Sequence, residues 1–265
     1  MNLSNLGRAA IEGSRPAVIK ETEDAVLVQC LDSFPLWVAK EDVSLTPCLI
    51  GTGFWESWIT SWFTKNISEG DFVVDIGANC GYFTMLFERL TGPTGQVVAY
   101  EASKRYADLL QKTKEENDAK FVIENLAVAD EPGTLTLTYP GGYTGSASVV
   151  YGFDPKWGEE HHETVKATTL DLEFEGMHSP DLIKVDAESA EEIIWNGAQS
   201  LLSRHNAPVM VLEYSPTGTY SKEFPERLFQ YGEVTGIGYD GQEHPIDVAF
   251  LNNLKDWYMI VVRKK

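Results

Sequence analysis

Apolar residues along this chain come in short runs, and most of the runs stop at a polar or acidic residue. Phe72-Val73-Val74-Asp75-Ile76 leads into Gly77-Ala78-Asn79-Cys80-Gly81 and then into the apolar start of a helix. A short β-branched run bounded by glycines reads as a buried parallel strand, a tight turn and a helix N-terminus. Val97–Tyr100, Phe121–Asn125, Leu182–Asp186 and Pro208–Leu212 repeat the strand pattern. Helical segments lie between them: Thr84–Leu90, the amphipathic Lys104–Asn117, and a helix from Ser189 to Ser203 that buries Ile193, Ile194, Trp195, Leu201 and Leu202. Strands alternating with helices predict an α/β domain, a largely parallel sheet with helices on both faces.

The flanks read differently. Residues 1–22 are polar and mixed, a short helix or a loose arm. Ala25–Leu31 and Leu36–Ala39 form two strands around Asp32-Ser33-Phe34-Pro35, so residues 1–50 are expected as an arm and β-hairpin cap and residues 51–265 as the main domain. Gly51–Ile67 reads as one helix, with Trp55, Trp58, Ile59 and Trp62 as a core-facing stripe. Thr134–Tyr139 alternates strictly and predicts a half-exposed strand, opening onto a small polar loop, Pro140–Ser148, suited to a lid or substrate edge. Tyr151–Glu163 reads as irregular, with His161-His162 as a solvated pair. Val165–Asp171 is a further extended segment and Pro225–Tyr231 a helical turn or two. Val234–Tyr239 and Trp257–Val262 close the domain as an antiparallel pair.

The strand ends carry the chemistry. Gly77 and Gly81 allow an unusual turn in which a ligand approaches the backbone and the N–H groups of the next helix. The spacing is D-x-G-x-x-x-G. The third glycine of the dinucleotide fingerprint is missing, and an acid opens the turn. An acid repels a pyrophosphate and suits the ammonium and sulfonium of S-adenosylmethionine (SAM), so Asp75 is expected beside such a ligand. Glu101 falls where a ribose diol is held in doubly wound folds, and the Asn125 amide is placed to read an adenine edge. Asp186, Glu188 and Glu213 then lie where an acceptor would sit. Lys184 interrupts an apolar strand; a buried ammonium is either ion-paired or a functional base.

Composition narrows the partners. The chain has 265 residues, 43% of them hydrophobic, enough for one large domain with an appendage. No run approaches 18 apolar residues, and the first residues lack a signal-like apolar segment, so neither a membrane span nor secretion is expected. Cys30, Cys48 and Cys80 are scattered and read as reduced thiols of a cytoplasmic protein. The net charge of −19 disfavours nucleic acid and anionic membranes.

Asp75-Ile76-Gly77-Ala78-Asn79-Cys80-Gly81, Leu182-Ile183-Lys184-Val185-Asp186-Ala187-Glu188 and Gly197-Ala198 together resemble the FkbM family of SAM-dependent methyltransferases. The resemblance runs from about Gly53 to Pro216 and takes in Gly53-Phe54-Trp55-Glu56, Ser146-Ala147-Ser148 and Thr169-Leu170-Asp171. It implies a class I methyltransferase fold with a Rossmann-like, seven-stranded sheet, and methyl transfer to a hydroxyl of a sugar, glycan or small metabolite. It implies SAM held by Glu56, Asp75, Gly77, Asn79, Gly81, Glu101, Asn125 and Ala127. The catalytic set would be Asp186 as base with Lys184, Glu188 and Glu213, or Asp186, Glu188 and Glu213 holding a Mg²⁺ ion. One position departs from the family: Ser189 stands where it usually has glycine. A nicotinamide-dependent oxidoreductase and a non-catalytic protein of the same fold are the rival readings.

Overall fold

Three strands open the structure: β1 (Ala17–Glu21), β2 (Ala25–Cys30) and β3 (Phe34–Ala39), an antiparallel sheet in that order. The computed structural model describes residues 15–140, 147–150, 159–216 and 218–265. The expected N-terminal arm over residues 1–14, most of the expected lid loop (141–146) and residues 151–158 lie outside the described residues. The cap is thus a three-stranded sheet rather than a hairpin. It docks on the helix over Lys104–Glu116: the Trp37 N–H donates to Thr113 Oγ1 at 3.0 Å.

The expected helix over 51–67 is two helices, α1 (Leu45–Thr52) and α2 (Ser57–Asn66). Gly53, at φ +74°, ends the first in the left-handed region that glycine tolerates, and Glu56, at φ +40°, turns the chain into the second. Helical spacing of the tryptophans continues across this break, so periodicity alone could not show it. Then come β4 (Phe72–Ile76), α3 (Tyr82–Thr91), β5 (Gln96–Tyr100), α4 (Lys104–Glu116), β6 (Val122–Glu124), β7 (Ala127–Val128), β8 (Gly133–Pro140) and β9 (Glu160–Thr168). Strand β9 pairs antiparallel with β8 and carries His161 and His162, which are therefore on a strand and not in an irregular stretch. It stops at Thr168, before the expected Asp171, because Thr169 caps a short helix, α5 (Leu170–Glu173), accepting the Leu172 N–H.

The chain ends with β10 (Leu182–Val185), α6 (Glu191–Asn196), α7 (Gln199–Ser203), β11 (Val209–Tyr214), α8 (Phe224–Tyr231), β12 (Gly232–Ile237), β13 (Glu243–Pro245), α9 (Val248–Asn252) and β14 (Tyr258–Lys264). Among the described residues the main sheet has eight strands, ordered β13-β12-β14-β11-β10-β4-β5-β6. The strand beyond the expected seven is β13, which adds to the edge of β12. Its anchor is polar: Glu243 accepts from Trp62 Nε1, Thr235 Oγ1 and the Arg263 guanidinium. A hydrophobicity pattern does not mark such a strand.

Neighbouring residues of the central strands feed two cores. Val73, Val97, Leu182 and Val211 face α2, α3, α4 and the cap. Val74, Ile183, Val185, Met210 and Ile260 face the helices that follow β9. The helix expected over 189–203 breaks at Gly197. A Cβ there would stand 2.0 Å from the Ala129 carbonyl oxygen, so two backbones meet without room for a side chain. Gly197→Ala should therefore cost about 1–3 kcal/mol by overpacking and lower the melting temperature by roughly 3–10 °C. A thermal melt by circular dichroism checks this; an unchanged midpoint would mean the contact is loose.

Candidate active site

Strands β4 and β10 lie parallel, with Lys184 directly opposite Asp75. Both side chains are almost wholly inaccessible to solvent. Lys184 Nζ lies 3.3 Å from Asp75 Oδ1 and 3.2 Å from Asp186 Oδ2, and 5.1 Å from the centroid of the Phe83 ring. Burial by itself would lower the lysine's proton affinity; the Asp186 and Asp75 carboxylates outweigh it and push the pKa above its ordinary value. Lys184 is an ion-paired cation, which removes it as a base. Asp75 receives the Thr84 hydroxyl at 2.7 Å on its other oxygen. It is the internal counterion of Lys184 and does not border the cavity, contrary to its expected place beside a ligand.

Beyond β4 the chain turns sharply. Gly77 has φ +76°, and a Cβ on it would stand 1.8 Å from the Asp186 carbonyl oxygen. The glycine is required because the backbone leaving β4 touches the backbone leaving β10 here. Gly81, at φ +98°, faces the Leu110 side chain, where a Cβ would come within 2.3 Å, so its role is helix packing and not ligand approach. Asn79, at φ +51°, gives its own N–H to Glu101 Oε2 at 2.7 Å. The Ser103 N–H donates to Glu101 Oε1 at 2.8 Å. Burial raises the Glu101 pKa to about 7 against these two bonds. The Asn125 amide donates to the carbonyls of Glu101 and Ala102, so it ties down this loop and does not line the cavity.

A cavity of about 440 Å³ opens at the carboxyl ends of β4, β5, β10 and β11. Glu56, Gly77, Asn79, Glu101, Ala127, Lys184, Asp186, Glu188 and Glu213 line it, so nine of the twelve expected site residues converge. Asp75, Gly81 and Asn125 stand behind the wall. Trp55 also lines it, as part of the Gly53-Phe54-Trp55-Glu56 stretch, and so do Tyr106, Leu126 and Trp257, which were not expected there. Trp55 sits in a stripe that reads as core, and Trp257, just before the last strand, is brought in by the fold alone. The exposed His162 is paired with Glu160 on β9, away from this wall.

Carboxylates outnumber the one lysine. Burial raises the pKa of Glu56 to about 8, with Asp186 adding to the rise and Lys184 opposing it. Burial, then the neighbouring acids, pushes Glu188 and Glu213 well above the usual carboxylate range. Glu188 and Ser189 are both left-handed, at φ +50° and +75°, a strained pair costing on the order of 1–3 kcal/mol per residue. Ser189 thus keeps the conformation that glycine would take freely. Ser148 Oγ braces the turn by donating to the Glu188 carbonyl at 2.7 Å. Oxygens of Asp186, Glu188 and Glu213 lie within 4.8 Å of one another, hard donors of the type a Mg²⁺ ion takes. The Lys184 ammonium already sits on Asp186 and fills the role of a resident cation.

Comparison with known proteins gives a consistent picture. The chain is 27% identical over 182 residues to methyltransferase sdnD of Sordaria araneosa, covering 58% of this chain and 70% of that protein. Among solved structures, the T. thermophilus 16S rRNA N2 G1207 methyltransferase RsmC, in complex with AdoMet and guanosine, aligns with a TM-score of 0.50 at 13% identity. That alignment covers 95% of this chain and 58% of RsmC. An O-methyltransferase from Bacillus cereus in complex with SAH aligns with a TM-score of 0.41 at 17% identity, over 84% of each chain. The likeness to RsmC shows the class I methyltransferase fold. The methyltransferase FkbM domain model matches residues 75–237, from the acid of β4 to the end of β12, and the chain belongs to that family of methyltransferases.

Proposed function

We propose that this protein is a SAM-dependent O-methyltransferase acting on a hydroxyl of a sugar, glycan or small metabolite. One observation carries the reading: the strand-end carboxylates converge on a single cavity around one fixed ammonium. Bound SAM supplies a methyl group already activated for transfer by its sulfonium.

The residues fit such a cofactor. Glu101 has both oxygens on backbone N–H groups, and a carboxylate retains further lone pairs for two ribose hydroxyls. Leu126, Ala127 and Val128 give an apolar wall for a base. Glu56 and the acids beside it favour a positive centre and disfavour a pyrophosphate, which argues against the nicotinamide reading.

Asp186 is the base in this reading. Lys184 holds one of its oxygens, which orients the carboxylate toward the cavity. The acceptor hydroxyl passes its proton to Asp186 as its oxygen takes the methyl group, and Glu188 and Glu213, which burial and the neighbouring acids favour in their protonated form, stand beside it as hydrogen-bond donors. Lys184 offsets one of the two carboxylate charges it touches, those of Asp75 and Asp186. The protein's net charge of −19 favours a neutral or cationic acceptor over a nucleic acid.

Three outcomes are expected. Calorimetry should show SAM and S-adenosylhomocysteine (SAH) binding, and Glu101→Ala should weaken both by roughly 10- to 150-fold, the value of a charged hydrogen bond; no binding by the wild type would end the reading. Raising the pH from 6 to 9 ionises Glu56, whose pKa is about 8. Affinity for the cationic SAM should then rise relative to that for the uncharged thioether SAH; a ratio flat with pH would place the sulfonium elsewhere. In a methyl-transfer assay over a panel of hydroxyl acceptors, Asp186→Asn should lower kcat about 10²- to 10⁴-fold while leaving SAM affinity near wild type. Unchanged turnover would remove Asp186 from the role.

A further inference from the structure

We infer that Glu191 and Tyr220, neither of which borders the cavity, are positioning residues that hold the turn bearing Asp186 and Glu188 in its reactive shape; the inference rests on the proposed reaction. The turn begins as a continuation of the sheet, with the Asp186 N–H on the Ile76 carbonyl at 3.1 Å. It then departs from any regular form through the left-handed Glu188 and Ser189. Ala187 lies between the two acids, and its N–H donates to Glu191 Oε1 at 3.0 Å. Glu191 is fully buried, so a free carboxylate could rotate between alternative partners with no water to compete. Its second oxygen is occupied by the Tyr220 hydroxyl, which donates at 2.6 Å.

Tyr220 reaches the site from beyond the end of β11. Its ring packs against Tyr214 and Phe224, with centroids 4.9 and 5.4 Å away. The Ser215 N–H lies 3.4 Å from its oxygen, next to the strand end that carries Glu213. One phenol therefore links both acid-bearing strand ends, β10 through Glu191 and β11 through its own neighbours. The separation among Asp186, Glu188 and Glu213 is set by this strut as well as by the sheet. A strained turn stays in place only when its surroundings over-determine it. Here the bonds to Ala187 and from Ser148 do so, and Tyr220 fixes the group that makes the first of them.

The test uses the full-length protein and two variants that keep their shape. Tyr220→Phe retains the packed ring and loses only the hydroxyl; Glu191→Gln retains an acceptor for Ala187 and loses the charge. Hydrogen exchange followed by NMR should show the Ala187 and Glu188 amides opening about tenfold faster in Tyr220→Phe, with Ile183 and Val211 unchanged. With an acceptor found in the panel, kcat should fall about tenfold while the KM for SAM stays within about twofold, and the double variant should be no worse than the poorer single one, as for residues acting as a unit. Unaltered exchange at Ala187 in both variants would overturn the inference. So would exchange rising equally along β10 and β11, which would mean general destabilisation. SAH titration of the wild type separates the two ideas: absence of binding removes the proposed reaction, whereas the Ala187 result still decides whether the strut holds the turn.

Discussion

A buried ammonium between two carboxylates holds this structure's functional end together. Taking the Lys184 and Asp75 charges out of water is costly, and only close geometry offsets it. Lys184 meets Asp75 because the parallel register of β4 and β10 sets them opposite each other, and it meets Asp186 because alternation along β10 returns every second residue to the same face. The ion group thus reports the sheet register directly. A slip of one residue would send Lys184 into the second core, where Val74, Ile76 and Met210 provide no counterion.

From that group outward the site becomes more strained and more acidic. Gly77 lets the two strand ends meet at backbone distance. Asn79, Glu188 and Ser189 adopt left-handed conformations that bulky residues avoid; Asn79 is held by its bond to Glu101 and Glu188 by the bond from Ser148. Such strain is kept where geometry matters more than stability. Buried acids add a second tension. Glu56, Glu188 and Glu213 hold protons more tightly than exposed carboxylates do, so the empty cavity favours protonation and a cationic ligand favours ionisation. Ligand charge and the protonation of the wall are therefore coupled.

The surface charge and the cavity charge point the same way. A chain with 40 acidic and 21 basic residues repels polyanions at long range, and the cavity repeats that preference at short range. The family membership makes methyl transfer the chemistry. The proposed hydroxyl acceptor follows from the need for a nearby proton acceptor, which this wall supplies in excess.

Much of this was legible in the sequence because burial imposes simple patterns. Apolar runs ending in Asp75, Glu101, Asp186 and Glu213 foretold parallel strands with a polar edge, and Lys184 within such a run required a partner. Local pattern alone determined the α/β class, the closing antiparallel pair and the acids at the cavity's strand ends. Only the tertiary structure decided which polar groups face the ligand and which face each other. Asp75 and Asn125 look like ligand residues by their position at strand ends. The register gives Asp75 to Lys184, and the β5–α4 loop consumes the Asn125 amide. Contacts across more than a hundred residues, such as Trp257 at the cavity wall or the Trp62 bond that anchors β13, leave no local trace. Hydrophobic periodicity records which face a residue buries, and it carries no information about the neighbour found there.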